Sequence, residues 1–160
     1  MNFHEPASDH TGSFTGASLT TSLDLRFRAG RASARKARHA LDGLGSEIDT
    51  GLLDNLQLLV SELVTNSFRH ARLGADGWID LRVLVTAERV RVEVTDPGPG
   101  FDPSGLGPSI HQNAGWGLFL VGRIADRWGV DRNHLTRVWF EIDRGPGQAS
   151  APLTPRTARA

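Results

Sequence analysis

The sequence predicts an α+β fold, a two-layer α/β sandwich in which a mainly antiparallel sheet carries helices on one face. Three observations point to it. Strict apolar–polar alternation recurs at residues 23–27, 79–85, 90–94 and 138–142, the period of strands with one wet face. Stretches between these switch to helical spacing. Two of the alternating stretches have only a polar turn at 87–89 between them, a connection that suits an antiparallel hairpin and is far too short for a parallel crossover. Antiparallel strands with one apolar face, interleaved with helices, bury that face most simply beneath a single helical layer.

Residues 1–17 are polar, with scattered Gly, Ser and His and no apolar period; they read as a disordered leader rather than a secretory signal. The folded domain is expected over 18–144. Its first strand sets Leu23, Leu25 and Phe27 against Asp24, Arg26 and Arg28. Residues 31–44 form a helix with Ala34, Ala37, Leu41 and Leu44 on one side, ended near Gly45. Residues 52–72 form the strongest helix, with Leu52, Leu56, Leu59, Leu63 and Phe68 as its apolar side. The hairpin follows, with Ile79, Leu81, Val83 and Val85 on one strand and Val90, Val92 and Val94 on the other. A loop crowded with Pro and Gly runs from Asp96 to Asn113. Residues 116–127 return to helical spacing through Leu118, Val121 and Ala125, and Val138, Phe140 and Ile142 mark a closing strand. Residues 145–160, with three prolines, read as a flexible tail.

Composition narrows the function. Hydrophobic residues make up 39% and charged residues 22% of the 160-residue chain, and the formal net charge is zero. A neutral chain lacks the basic surplus that displaces counterions from nucleic acid or gathers at acidic membranes, so no direct nucleic-acid or membrane partner is expected. There is no cysteine, which excludes disulfides and cysteine-based zinc sites and is compatible with a cytoplasmic location. No apolar run approaches membrane-spanning length. The six histidines show no metal-ligand spacing. The tryptophans are read as packing groups, apart from Trp116, which sits inside a glycine pair.

Three segments carry candidate chemistry. Glu62, Asn66 and His70 recur every fourth residue of the long helix and therefore share a face. Asn66 offers a neutral oxygen suited to Mg²⁺, Glu62 a carboxylate able to accept a proton from a nucleophile, and Arg69 a charge for phosphate. Asp96 follows a strand and precedes Gly98 and Gly100; a carboxylate there suits the exocyclic amine that distinguishes adenine from guanine. Gly115, Trp116, Gly117 and Leu118 open a helix, whose N-terminal amides and dipole favour phosphate. Taken singly, each is more readily a solvated helix face, an ordinary Pro/Gly turn or a flexible helix start. Together they supply a cation ligand and base, an amine acceptor and a phosphate nest in one small domain, so ATP is the expected ligand.

The order of these motifs, Glu62-x-x-x-Asn66-x-x-x-His70, then Asp96-x-Gly98-x-Gly100, then Gly115-x-Gly117-Leu118, resembles the GHKL superfamily of ATPases with the Bergerat, or histidine-kinase-like ATPase, fold. Glu-Leu-Val-x-Asn at 62–66, Ala-Asp-x-Trp-Gly at 125–129 and the run Thr-Arg-Val-Trp-Phe-Glu at 136–141 make it similar to the anti-sigma-factor serine/threonine kinases within that superfamily. The resemblance implies Mg²⁺ at Asn66 and Glu62 as catalytic base. It implies Asp96 on the adenine amine in a pocket shaped by Gly98 and Gly100, with ATP contacts also from Arg69, His70, Gly115, Trp116, Gly117 and Leu118. It further implies a homodimer that sequesters a sigma factor and phosphorylates a serine of a STAS-domain anti-anti-sigma partner. One feature departs from this pattern: the lid, residues 101–114, holds no Lys or Arg, whereas phosphoryl transfer relies on positive charge around the transferring group. The alternative reading is a catalytically weak, ATP-dependent protein-binding module in transcription regulation.

Overall fold

The computed structural model describes residues 19–70, 77–100 and 116–145; of Leu19, Thr20, His70 and Trp116 it describes the backbone alone. The expected leader, the lid at 101–114, Gly115 and all but the first residue of the tail lie outside the described residues.

Chain order is β1 (Leu19–Arg28), α1 (Ser33–Leu41), a 3₁₀ turn (Asp42–Leu44), α2 (Thr50–His70), β2 (Trp78–Thr86), β3 (Arg89–Asp96), α3 (Trp116–Ile124), β4 (Arg127–Arg132) and β5 (Thr136–Asp143). The strands form one sheet in the order β1-β2-β3-β5-β4, and every pairing is antiparallel. This is the α+β sandwich that the alternation implies.

The core is built by matching periods. Ile79, Leu81, Val83 and Val85 of β2 stand beside Val94, Val92 and Val90 of β3, which in turn pair with Val138, Phe140 and Ile142 of β5. All of these are buried, because alternate residues of each strand face the helical layer. From that layer α2 contributes Leu56, Leu59, Val60, Leu63 and Val64. Each such side chain, fully withdrawn from water, contributes about 1.5–3 kcal/mol. Asp49 starts α2 by accepting a hydrogen bond from the Leu52 amide at 2.9 Å, which satisfies one of the orphan donors of the first turn.

Two expectations are corrected. Phe68 is 37% exposed, one step off the buried stripe that Val60, Val64 and Ser67 continue. The last helix stops at Ile124 and residues 127–132 form β4, a strand absent from the sequence reading. Only Trp128 and Val130 alternate there, between charged neighbours and around Gly129. The strand holds its place through β5: the Trp139 ring lies across the bare α-carbon of Gly129, 2.8 Å from where a Cβ would stand.

The opposite face of the sheet carries the charges. Arg26 holds Asp80 through two hydrogen bonds of 2.6 and 2.7 Å and stacks on Trp78. Glu141 accepts from Arg91 at 2.9 Å and Arg127 at 2.7 Å, and Arg91 lies over the Trp139 ring, 4.3 Å from its centroid. Burial pushes the Glu141 carboxyl up, but the hydrogen bonds from Arg127 and Arg91 outweigh it and hold it below its ordinary range.

Candidate functional site

The inward-facing row of β3 runs Val90, Val92, Val94 and then Asp96, so the period that buries the valines also turns the carboxylate toward the helical layer. Asp96 is 4% exposed. A buried carboxylate needs hydrogen-bond donors, and the chain supplies one at once: Oδ1 accepts from the Gly98 amide at 2.8 Å. The Gly98 carbonyl accepts from the Thr136 hydroxyl at 2.9 Å across 38 residues of sequence, and Thr136 is the direct cross-strand neighbour of Asp96. Gly100 follows at φ 79°, the left-handed region that glycine enters without the Cβ penalty. Asp96, Gly98 and Thr136 thus form one bonded cluster at the end of the β3–β5 pair, with Gly100 beside it.

The second half of the site is made by helices. Burial of the apolar stripe of α2 leaves Glu62 and Asn66 half-buried along one side, with Arg69 exposed in the last turn. Across them lies the first turn of α3. A Cβ on Gly117 would stand 2.6 Å from Asn66 Nδ2 and 3.1 Å from Glu62 Cβ, closer than real Cβ atoms pack. The missing side chain is what lets α3 approach. Beside it, Leu118 is 5% exposed and Val121 fully buried; both anchor the start of α3 in the core. The first amides of a helix lack intrahelical acceptors and carry the positive end of its dipole. The arrangement therefore sets Asn66, Glu62 and a helix N-terminus side by side.

This donor set fits a magnesium nucleotide. Mg²⁺ keeps most of its octahedron as water and phosphate oxygens and needs few protein ligands, and among the described residues no group of three or more His, Asp or Glu forms a metal cage. Asn66 is the residue suited to the ion, Asp96 to a base amine and the α3 start to phosphate.

The structure brings Glu62, Asn66 and Gly117 into contact and gathers Asp96, Gly98 and Gly100. Leu118 it places in the core, and Arg69 on the surface. Arg123, in the last turn of α3, lies over the Phe119 ring, 5.4 Å from its centroid. Gly115 and the side chains of His70 and Trp116 are outside the described residues. Thr136 is the residue that sequence reading missed. Its signal was a hydroxyl in an inward position otherwise filled by Val138, Phe140 and Ile142, where a buried polar atom needs a partner.

Comparison with known proteins gives the family and the fold. Residues 27–142 match the family model described as the histidine kinase-like ATPase domain. The chain is 29% identical over 124 residues to a protein named serine-protein kinase RsbW of Listeria monocytogenes, covering 69% of this chain and 79% of that protein. It is 28% identical over 86 residues to the anti-sigma F factor of Clostridium acetobutylicum, covering 52% of this chain and 60% of that one. In structure it resembles a crystal structure of the RsbU and RsbW domains of Rv1364c from Mycobacterium tuberculosis, with a TM-score of 0.60 at 19% identity, over 77% of this chain and 32% of the longer solved chain. That likeness concerns the fold. No helix among the described residues is long and apolar enough to cross a membrane. With the motif order, the sheet, the opposed α2 and α3, and a family match over most of its length, this chain belongs to the histidine kinase-like ATPase domain family.

Proposed function

We propose that the protein is an ATP- and Mg²⁺-dependent serine/threonine kinase of the anti-sigma-factor type, which binds a sigma factor and phosphorylates a serine of a STAS-domain anti-anti-sigma partner, acting as a homodimer in the cytoplasm. The observation that carries the reading is the approach of Gly117 to Asn66 and Glu62, which supports Asn66 as the cation ligand and Glu62 as the base beside a helix N-terminus. Relatives named as a serine-protein kinase and an anti-sigma factor support the same class.

In this reading Asp96 accepts the adenine amine while its Oδ1 accepts from the Gly98 amide. Asn66 holds Mg²⁺, which when bound neutralises phosphate charge. Glu62 accepts the proton of the partner's serine hydroxyl as its oxygen bonds to the γ-phosphorus and the bond to the departing ADP oxygen breaks. Arg69, on the exposed last turn of α2, contributes positive charge that lid residues 101–114 do not carry.

The test is phosphotransfer. The protein is incubated with Mg-ATP and partners recovered by pull-down, and phosphoserine is mapped on the STAS protein. A partner that binds yet gains no phosphate would overturn the kinase reading. The composition of the lid favours a second reading, an ATP-dependent binding module with negligible transfer. There Glu62→Ala leaves partner binding unchanged, while Asn66→Ala weakens nucleotide and partner together.

A further inference from the structure

The loop that carries the expected base contact rests on a residue outside every motif. Gly100 closes the segment from Asp96, and the space where its Cβ would project is filled. Arg132 Cδ lies 2.8 Å from that position, Thr136 Oγ1 3.0 Å and Arg132 Cγ 3.2 Å. Arg132 is the last residue of β4 and pairs directly with Thr136 of β5. Thr136 in turn holds the Gly98 carbonyl, and the Gly98 amide holds Asp96. The segment 96–100 is therefore pinned at its middle by hydrogen bonds and at its end by the methylene stem of an arginine from the edge strand.

We propose that Arg132 is a positioning residue for base recognition: its methylene stem seats Gly100, and through the 96–100 segment fixes the Asp96 carboxylate in the orientation that tells an amino-purine from an oxo-purine. This rests on the nucleotide reading above and deepens it. Arginine suits the task because its stem covers apolar surface while its head remains in water, and Arg132 is an exposed residue. Truncation would leave unfilled space beneath Gly100. Gly98 would still be held by Thr136, so the pocket would persist, but the far end of the segment would be free to sink and rotate Asp96. A hydrogen bond depends steeply on angle, so discrimination between bases would suffer before overall binding.

The experiment measures calorimetric dissociation constants of Mg-ATP and Mg-ITP, which share phosphates and ribose and differ at the 6-position, for wild type, Arg132→Ala, Arg132→Met and Gly100→Ala. Thermal unfolding of each variant is followed in parallel. In wild type, ATP is expected to bind at least tenfold more tightly than ITP. Arg132→Ala should reduce that ratio about fivefold or more, mainly by weakening ATP. Arg132→Met keeps a stem without the charge and should stay within about twofold of wild type. Gly100→Ala, strained both by its φ of 79° and by the Arg132 stem and Thr136 hydroxyl beside it, should also lower the ratio, because it displaces the same end of the segment. Equal weakening of both nucleotides in Arg132→Ala, an unchanged ratio in that variant, or a Met variant as impaired as Ala would overturn the proposal. Failure of wild type to bind ATP would instead remove the nucleotide reading itself. Should Arg132→Ala unfold, Arg132→Val, which shortens the stem but keeps a strand former in place, is read by the same ATP-to-ITP ratio and decides the matter.

Discussion

Gly117 meets Asn66 at a point where α3 has no side chain to spare: a Cβ there would stand 2.6 Å from the amide nitrogen. The atom in the way is the tip of a flexible side chain, and the next nearest, Glu62 Cβ at 3.1 Å, needs a shift of only a few tenths of an ångström. In Gly117→Ala the Asn66 amide therefore swings aside. Alanine also gains about 1 kcal/mol of helix propensity, against about 1–3 kcal/mol for overpacking, so stability should fall by no more than about 2 kcal/mol. Binding should suffer far more. Calorimetry is expected to show ATP affinity at least tenfold weaker and Mg²⁺ dependence blunted, since the proposed cation ligand would have moved. Unchanged Mg-ATP affinity would separate Asn66 from the ion.

Asp96→Asn keeps an oxygen for the Gly98 amide and replaces the other with a donor. Facing a base amine, that donor opposes a donor. Loss of one charge-assisted hydrogen bond is worth about 1.5–3 kcal/mol, so ATP affinity should drop about 10–100-fold, while ITP, which offers a carbonyl, should bind as well as before or better. A uniform loss for both nucleotides would show that Asp96 serves the loop rather than the base.

Glu62→Gln preserves shape and hydrogen bonding but removes basicity. Nucleotide affinity should remain within about threefold, whereas single-turnover phosphotransfer should fall about 10²–10⁴-fold, the span of general-base contributions. Transfer at the wild-type rate would take the base role away from Glu62.

Glu141 is 7% exposed and paired with Arg91, itself 8% exposed. Glu141→Gln leaves Arg91 with the Glu93 carboxylate at 2.8 Å and should destabilise the fold by less than the roughly 3–5 kcal/mol of a fully broken buried pair, read from the denaturant midpoint. The acid profile follows from the same group. Its folded-state affinity for protons lies below the ordinary value of 4.5, so its contribution is complete above that pH and is lost as pH falls through the lower folded value. The stability difference between wild type and Glu141→Gln should be flat from neutrality to about pH 5 and shrink below it. A difference that grows on acidification would contradict the pairing.

Much of this protein is written in local periods. Alternation at 79–85, 90–94 and 138–142 became β2, β3 and β5, and helical spacing around Leu56, Leu59 and Leu63 became α2, because a period of two or 3.6 is imposed by the backbone itself and needs no partner. The motifs were legible for a related reason: a carboxylate after a strand and glycines before a helix carry their chemistry locally. Convergence was decided only in three dimensions. Thr136 joins Asp96 because β5 inserts beside β3 instead of following β4 outward, an order that strand periodicity does not encode. β4 exists because β5 offers it an edge and Trp139 covers Gly129; its own six residues have too little alternation to declare a strand. The meeting of Gly117 with Asn66, and of Gly100 with Arg132, depends on how closely distant segments pack. A sequence shows that a side chain is missing, and the fold shows what has moved into the space.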